Sequence, residues 1–409
     1  MVPEGWKPVQ IGDLAKFSSG GTPSKQTAEY WGGDEPWISG KDLKSHYLVG
    51  SIDTLTSEGF GVAKKAPKGS SLILVRGMTL LKDFPVGYAT REVAFNQDLK
   101  ALVPVKSVDG LFLSFLLVGE KHKIRQLVST AGHGTGRLDT TSIQEYPINL
   151  PPLPEQKKIA QILSTWDKAI TTTEQQLANS QQQKKALMQQ LLTGKQRLLD
   201  QNGERFQGEW CEVKLSSVFD RVTEKNNGQS TNVVTISGVH GLIRQEDFFK
   251  KTVASETLDG YFLLRKGQFA YNKSYSNGYP MGAIKRLNRY DDGVVTTLYV
   301  CFELSDVNKA NSDYWEHYFE SGLMNKGLSQ VAHEGGRAHG LLNVKPADFF
   351  SLKVPLPSRE EQQKIAAVLS AADQEITTLQ QQLDHLKQEK KALMQQLLTG
   401  KRRVKVDPV

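Results

Sequence analysis

The chain has 409 residues, more than a single hydrophobic core usually organises, so at least two domains are expected. Its longest obvious apolar run, LFLSFLLV at 111–118, is too short for the roughly 20 residues that span a bilayer, and its two cysteines indicate neither a disulfide framework nor a zinc site. The net charge of +7 favours a polyanionic partner, and the opening MVPEGWKP does not have the pattern of a signal peptide, so a cytoplasmic protein is expected.

The first predicted domain covers residues 1–150. Short β-rich runs such as SLILV at 71–75 alternate with Gly, Pro and Asn, and the stretch from Leu111 to Val128 predicts a helix, so a mixed α/β domain is expected. The glycine-rich turn GHGTGR ends at Arg137. Such a turn can approach a phosphate backbone or can be only a tight connection, and the sequence leaves both open.

A long helix is predicted within residues 151–197, after the proline phrase PPLP. Its apolar residues recur with the alternating spacing of four and three that is typical of a coiled-coil seam, and Thr193-Gly194 supplies a stop signal. A helix of about 39 residues, roughly 58 Å long, is expected. The predicted seam positions are Ile159, Leu163, Trp166, Ile170, Thr173, Leu177, Ser180, Lys184, Leu187 and Leu191.

The second predicted domain covers residues 203–353 and has the same pattern of short β-rich runs and turn residues. VVTTLYVCFEL at 294–304 predicts strand structure, the stretch from Tyr314 to Leu328 predicts one or two helices, and a second glycine-rich turn ends at Arg337.

Residues 354–401 repeat the helical segment, and 402–409 form a basic tail. The twelve residues KKALMQQLLTGK occur at 184–195 and again at 390–401, which indicates a duplicated unit of one domain followed by one helix. The second seam comprises Ile365, Leu369, Ala372, Ile376, Leu379, Leu383, Leu386, Lys390, Leu393 and Leu397.

The two helices are predicted to pair with each other in an antiparallel coiled coil. With full overlap, Trp166 faces Lys390 and makes a cation-to-ring contact, while Lys184 packs its stem over Ala372. A parallel homodimer through either helix is the alternative. The predicted fold class is α+β, with two mixed α/β domains joined by the paired helices in a pseudo-twofold arrangement.

Candidate DNA contacts are chosen by chemistry, because Arg and Lys read guanine and amide side chains read adenine. For any one of them a solvated loop is the competing interpretation. The helical segments carry the net positive charge, so contacts elsewhere must come from local clusters. The candidates are Lys25, Lys41, Arg76, Lys82, Arg91, Arg137, Lys225, Arg244, Lys273, Tyr275, Lys285 and Arg337.

Catalytic and metal motifs are not found in the sequence. There is no Walker loop, GxSxG elbow, HExxH or Asn-Pro-Pro-Tyr, so we predict a chain with no catalytic residues. His46, His133, His333 and His339 lack the spacing of metal ligands on one helix, so no metal site is predicted either.

Two variable segments, each followed by a near-identical helix that begins at PLPEQ or PLP...EQ and ends in LLTGK, strongly resemble the specificity subunit of type I restriction-modification systems, the HsdS family. The phrases GWKPVQIGDLAKFSSGGTPS, FNQDLKAL and GYPMGAIK support the likeness, which covers almost the whole chain.

The resemblance implies a DNA-binding subunit without an active site, whose two target recognition domains each read half of a bipartite, asymmetric site. The helices would set the half-site spacing and dock two adenine methyltransferase subunits, which use S-adenosylmethionine. Two restriction subunits that use ATP and Mg would join the full complex. The alternatives are a structural or adhesion adaptor, an enzyme with a divergent motif, and an orphan or phase-variable specificity subunit.

Overall fold

The structure is a computed structural model that describes residues 2–130, 134–238, 240–248, 257–332 and 342–406. The chain divides into two units, Met1–Glu174 with Gln381–Val409, and Gln175–Gln380. Each unit therefore combines one variable segment with half of each long helix. The domain boundaries near residues 150, 203 and 353 stay predictions.

The first unit contains fourteen strands within its described residues. They are β1 (Lys7–Gln10), β2 (Ala15–Ser19), β3 (Trp31–Ile38), β4 (Tyr47–Leu48), β5 (Thr54–Leu55), β6 (Lys65–Ala66), β7 (Ser71–Leu74), β8 (Arg76–Gly77), β9 (Val86–Ala89), β10 (Val93–Phe95), β11 (Leu99–Pro104), β12 (Ser129–Thr130), β13 (Gly136–Arg137) and β14 (Pro147–Leu150). Its helices are α1 (Ile11–Leu14), α2 (Ser57–Val62), α3 (Gly110–Arg125), α4 (Thr140–Gln144) and the first half of α5 (Leu153–Leu191).

The sheets of the first unit have the strand orders β2-β11-β7-β9-β4, β5-β3-β10-β6, β12-β13-β8 and β1-β14. The predicted strand at 71–75 is β7, whose four residues are all buried, as expected of an inner strand. The predicted helix at 111–128 is α3. It begins where the Asp109 carboxylate accepts a hydrogen bond from the Phe112 backbone N–H at 2.9 Å.

The second unit contains β15 (Cys211–Lys214), β16 (Phe219–Val222), β17 (Val234–Ser237), β18 (Gly241–Arg244), β19 (Phe262–Arg265), β20 (Phe269–Asn272), β21 (Ala283–Arg286), β22 (Asp292–Val295), β23 (Val300–Leu304) and β24 (Lys353–Leu356). Its helices are α6 (Gln245–Phe248), α7 (Ser312–Glu320), α8 (Asn325–Val331), α9 (Pro346–Ser351), the second half of α5 and the first half of α10 (Arg359–Leu397).

The sheets of the second unit have the strand orders β16-β23-β20-β21, β17-β18, β19-β22 and β15-β24. The run at 294–304 supplies the end of β22 and all of β23, with a turn between them. The stretch from Tyr314 to Leu328 forms the two helices α7 and α8. Asn311 begins α7 as Asp109 begins α3, because its side chain accepts from the Tyr314 backbone N–H at 2.8 Å.

The two long helices have the predicted length, since α5 and α10 are each 39 residues. Each is followed by a glycine in the left-handed conformation, Gly194 at φ 69° and Gly400 at φ 70°, which stops the helix as the LLTGK string predicts.

The ends of the long helices belong to the cores of the units. Leu397 and Leu398, at the end of α10, lie in the core of the first unit, and Leu191 and Leu192, at the end of α5, lie in that of the second. Each variable segment is therefore completed by the end of the helix that follows the other segment in the chain.

Candidate helix-pairing and nucleic-acid interfaces

The predicted seam is the inward face of both helices. All twenty seam positions are buried or partly buried, including the polar Thr173 and Ser180. The helices pair antiparallel, as is seen in the first unit from the ion pairs of Asp167 with Lys390 and of Glu174 with Lys387.

A partly buried lysine–aspartate ion pair, here called a rung, crosses the helix pair in each unit. Lys184 Nζ lies 2.5 Å from Asp373 Oδ1 in the second unit, and Lys390 binds Asp167 in the first. The side chain of Lys184 is 16% exposed and that of Lys390 17%, so both ammonium groups need a charged partner to offset their loss of water.

The rungs confirm the predicted overlap to within one residue, but the predicted contact of Lys390 with Trp166 is wrong. The Lys390 ammonium binds the carboxylate next to Trp166 and lies over the ring of Phe115 at 5.1 Å. A carboxylate offers a full charge, and α3 supplies the ring, so the tryptophan is not needed. Lys184 likewise reaches past Ala372 to Asp373.

The surroundings of the rungs differ between the units. In the first unit His46 stacks on Phe115 at 4.9 Å, and its burial lowers the pKa of His46 to about 4, partly offset by the charge of Asp167. In the second unit His317 Nε2 lies 3.1 Å from Ser370 Oγ, and burial together with Lys184 lowers the His317 pKa.

A second repeated contact, here called a latch, joins the segment after each long helix to the start of the other. In the first latch the Arg403 guanidinium donates to both oxygens of Glu155 at 2.7 and 2.8 Å, and the Trp6 indole donates to Glu155 at 3.2 Å. Arg403 also lies over the Trp6 ring at 5.8 Å. The Glu155 side chain is only 2% exposed, so both donors are needed to satisfy it.

The second latch has the same chemistry. Arg197 donates to both oxygens of Glu361 at 2.5 and 2.7 Å, and the Trp210 indole donates to Glu361 at 2.9 Å. The latches were not among the contacts predicted from the sequence. The repeat contains the signal, because each arginine stands two residues after its LLTGK string and each glutamate opens the matching EQ pair.

The neighbouring glutamines attach each helix to its own variable segment. Gln156 donates to the Pro151 carbonyl at 2.9 Å and accepts from the Asp109 backbone N–H at 2.9 Å. Gln362 makes the corresponding bonds to Pro357 and Asn311, both at 2.9 Å. The N-terminal ends of α3 and α7 are thus each hydrogen-bonded to the start of a long helix.

All six DNA-contact candidates of the first unit are exposed: Lys25, Lys41, Arg76, Lys82, Arg91 and Arg137. The structure brings three of them together, since Lys41 and Arg76 line one cleft and Arg76 pairs across strands with Arg137. Arg91 instead forms an ion pair with Glu35 at 2.5 Å.

The candidates of the second unit are in more varied surroundings. Lys225, Arg244 and Tyr275 are exposed, and Tyr275 is 65% so. Lys273 is partly buried, which lowers its pKa. Arg337 lies outside the described residues, as do His133, His333 and His339.

Lys285 lies in a cavity of 460 Å³ in the second unit rather than on an open face. Its ammonium binds Glu320 and the Tyr279 hydroxyl, and the neighbouring Arg286 binds Asp313 and Glu316, each at 2.6 Å. Lys285 and Arg286 are therefore both matched by carboxylates.

The described residues contain no helix long and apolar enough to cross a membrane. Within the same ranges, no group of three or more His, Cys, Asp or Glu side chains is placed to hold a metal ion.

Comparison with known proteins identifies relatives along the whole chain. The chain is 25% identical over 425 residues to the type I restriction enzyme MjaVIII specificity subunit of Methanocaldococcus jannaschii, covering 99% of this chain and 94% of that one. It is 30% identical over 165 residues to the EcoR124I/EcoR124II specificity subunit of Escherichia coli, which covers 40% of each protein. A similar match to the MjaIX specificity subunit of Methanocaldococcus jannaschii covers 41% of that protein.

Solved structures confirm the predicted fold class. The type I restriction-modification S subunit of M. genitalium superposes with a TM-score of 0.60 at 15% identity, covering 97% of this chain and 99% of that one. The HsdS subunit of Thermoanaerobacter tengcongensis has a TM-score of 0.50 at 17% identity, with 98% of each chain covered.

The family model of the type I restriction modification DNA specificity domain matches residues 3–180 and 202–388. These ranges include both variable segments and most of both long helices. The chain therefore belongs to the family of type I restriction-modification specificity subunits.

Proposed function

We propose that this chain is the DNA sequence-recognition subunit of a type I restriction-modification complex, and that each variable segment reads one half of a bipartite, asymmetric site. The observation that carries the proposal is that the same structural contacts recur in both units, while the exposed residues of the two variable segments differ. Both units have the same rung and latch, whereas the first variable segment exposes Arg76 on β8 and Met78 after it, and the second exposes Tyr275 after β20. Recognition of two different half-sites needs this combination.

The repeated twelve-residue string supports docking of two identical partners. Packing accounts for its buried leucines, but its exposed positions are identical too, and packing does not require that. These positions are Lys185, Ala186, Gln189, Gln190, Thr193 and Lys195, and Lys391, Ala392, Gln395, Gln396, Thr399 and Lys401. Two copies of one methyltransferase subunit would impose identical surfaces on both helix ends.

In this proposal the chemistry belongs to the partners. The methyltransferase subunits bind S-adenosylmethionine, and two restriction subunits, which bind ATP and Mg, join through them. This chain supplies no catalytic residue and binds no cofactor. The paired helices hold the two recognition domains at the separation that the spacer of the DNA site demands.

Reconstitution tests the proposal. The purified chain, its co-expressed methyltransferase subunit and the two together are incubated with radiolabelled S-adenosylmethionine and duplex DNA, and the methylated sites are sequenced. Sequence-specific adenine methylation is expected only for the combination. Methyl transfer by this chain alone would contradict it, and a chain that neither binds duplex DNA nor redirects the methyltransferase would indicate the adaptor alternative.

A further inference from the structure

Two arginines of the first unit face each other across a pair of strands. In the sheet β12-β13-β8, Arg137 is the register partner of Arg76 on one side and of Ser129 on the other. Directly opposed residues put their side chains on the same face, with Cβ atoms roughly 5 Å apart. This face, here called the arginine ribbon, therefore presents two guanidinium groups and a hydroxyl.

Within the described residues, no carboxylate lies within ion-pair distance of either arginine. Arg76 and Arg137 are both exposed, and neither takes part in an ion pair there. Like charges directly opposite one another destabilise a strand pair, so fold stability does not explain the arrangement. An acceptor from outside the chain does.

The backbone beneath the arginines is closely packed. The next register pair is Gly136 with Gly77, and a Cβ at Gly136 would lie 2.8 Å from the Leu80 Cβ and 3.0 Å from the Gly77 carbonyl oxygen. Only glycine fits there. The ribbon is thus held against the domain, which limits the ordering needed when a ligand binds.

The residues beside the ribbon indicate whether the acceptor is a base edge or a phosphate. Arg76 lines a cleft of 790 Å³ with Lys41, Lys44 and the apolar side chain of Ile52, which is 64% exposed. Met78, two residues after Arg76 in the sequence, is 63% exposed. The cleft also contains Asp98 and Asp83, of which Asp83 is paired with Lys121 at 3.1 Å. Apolar side chains do not stabilise a bound phosphate, whereas apolar side chains pack on thymine methyl groups in the major groove.

We propose that the arginine ribbon enters the major groove and that Arg76 and Arg137 read guanines of the half-site recognised by the first unit. Strands of a small sheet can read the major groove, and arginine donates in bidentate fashion to guanine O6 and N7. This inference rests on the proposed DNA-recognition function. It predicts guanine at one or two positions of that half-site.

The test uses the full chain with its methyltransferase subunit, as wild type, R76A, R137A and the charge-matched control K106A, which removes an exposed lysine of the same unit. The methylomes and the binding to duplexes carrying single G·C to A·T changes are measured. Each arginine variant should lose discrimination at one guanine of one half-site by about 5- to 150-fold, and the other half-site should be unchanged. K106A should keep full discrimination.

Two results would overturn the inference. One is a uniform loss of affinity for every duplex, with a shallower salt dependence, which is the behaviour of phosphate contacts. The other is full discrimination in both variants with unchanged melting temperatures. Failure of the proposed function is a separate result, because then the wild-type complex itself would not methylate any defined site.

Discussion

Removal of Arg403 tests whether the C-terminal segment stabilises the first unit. In R403A, Glu155 keeps the Trp6 indole but loses two charged hydrogen bonds, at a side chain that is 2% exposed in the native chain. Breaking a buried ion pair costs roughly 3 to 5 kcal/mol. The Arg403 side chain is 42% exposed, so water replaces part of the interaction, and we expect a loss of about 2 to 3 kcal/mol.

That loss corresponds to a fall of about 4 to 12 °C in the melting temperature of a unit this size. Differential scanning calorimetry of the full chain measures it. R402A is the matched control, because Arg402 is an exposed neighbour with the same charge, and we expect it to change stability by less than about 0.5 kcal/mol.

The second latch provides an internal comparison. The Arg197 side chain is 19% exposed, less than half the value for Arg403, and its partner Glu361 is 1% exposed. R197A should therefore be more destabilising than R403A. Equal and small shifts for R403A and R402A would refute the argument that the latch closes the first unit.

Three further predictions concern the helix pair and its surroundings. Residues 1–205 alone should dimerise, because Arg197 of one copy can bind Glu155 of the other as Arg403 does here; sedimentation showing only monomer would contradict this. Lengthening both long helices by seven residues adds about 10.5 Å and should shift the preferred spacer by roughly three base pairs, with lower activity, in a library of randomised spacers; an unchanged spacer would show that the helices do not set it. Because the folded chain holds the His46 pKa near 4 while the unfolded chain protonates near 6.5, stability should fall as the pH drops from 7 to 4, by up to about 3 kcal/mol, and urea unfolding of H46F should show a smaller fall.

The parts of the fold that are local in sequence were predictable. Helix length, seam and stop signals follow from spacing within a few turns, and the register of the pair follows from the repeat. The ring that Lys390 lies over was not predictable, because Phe115 comes from α3 and only the folded domain brings it to the seam.

In the candidate DNA interface, too, residue types were predictable from the sequence, whereas their surroundings were not. Arginine chemistry singled out Arg76 and Arg137 as separate candidates, but their strand register joins residues that are far apart in the chain. Lys285 has suitable chemistry and lies in a sequence region rich in aromatic and amide groups, yet its ammonium is matched by Glu320. Residue type indicates what a side chain can bind, and only the surrounding fold determines whether it is available.

The rungs also explain why the helices pair antiparallel within one chain rather than parallel between two. In a parallel homodimer through α5, equivalent positions face each other, so Lys184 would meet Lys184 of the other copy, and Ser180 would meet Ser180. Two partly buried ammonium groups would then repel each other without a carboxylate. In the antiparallel pair Lys184 meets Asp373, and Ser180 donates to Glu375 at 3.0 Å. A buried ion pair adds little stability over apolar residues, but the wrong pairing leaves a buried charge unmatched. The polar seam positions therefore contribute direction and register, while the leucines at the helix ends contribute the stabilising burial.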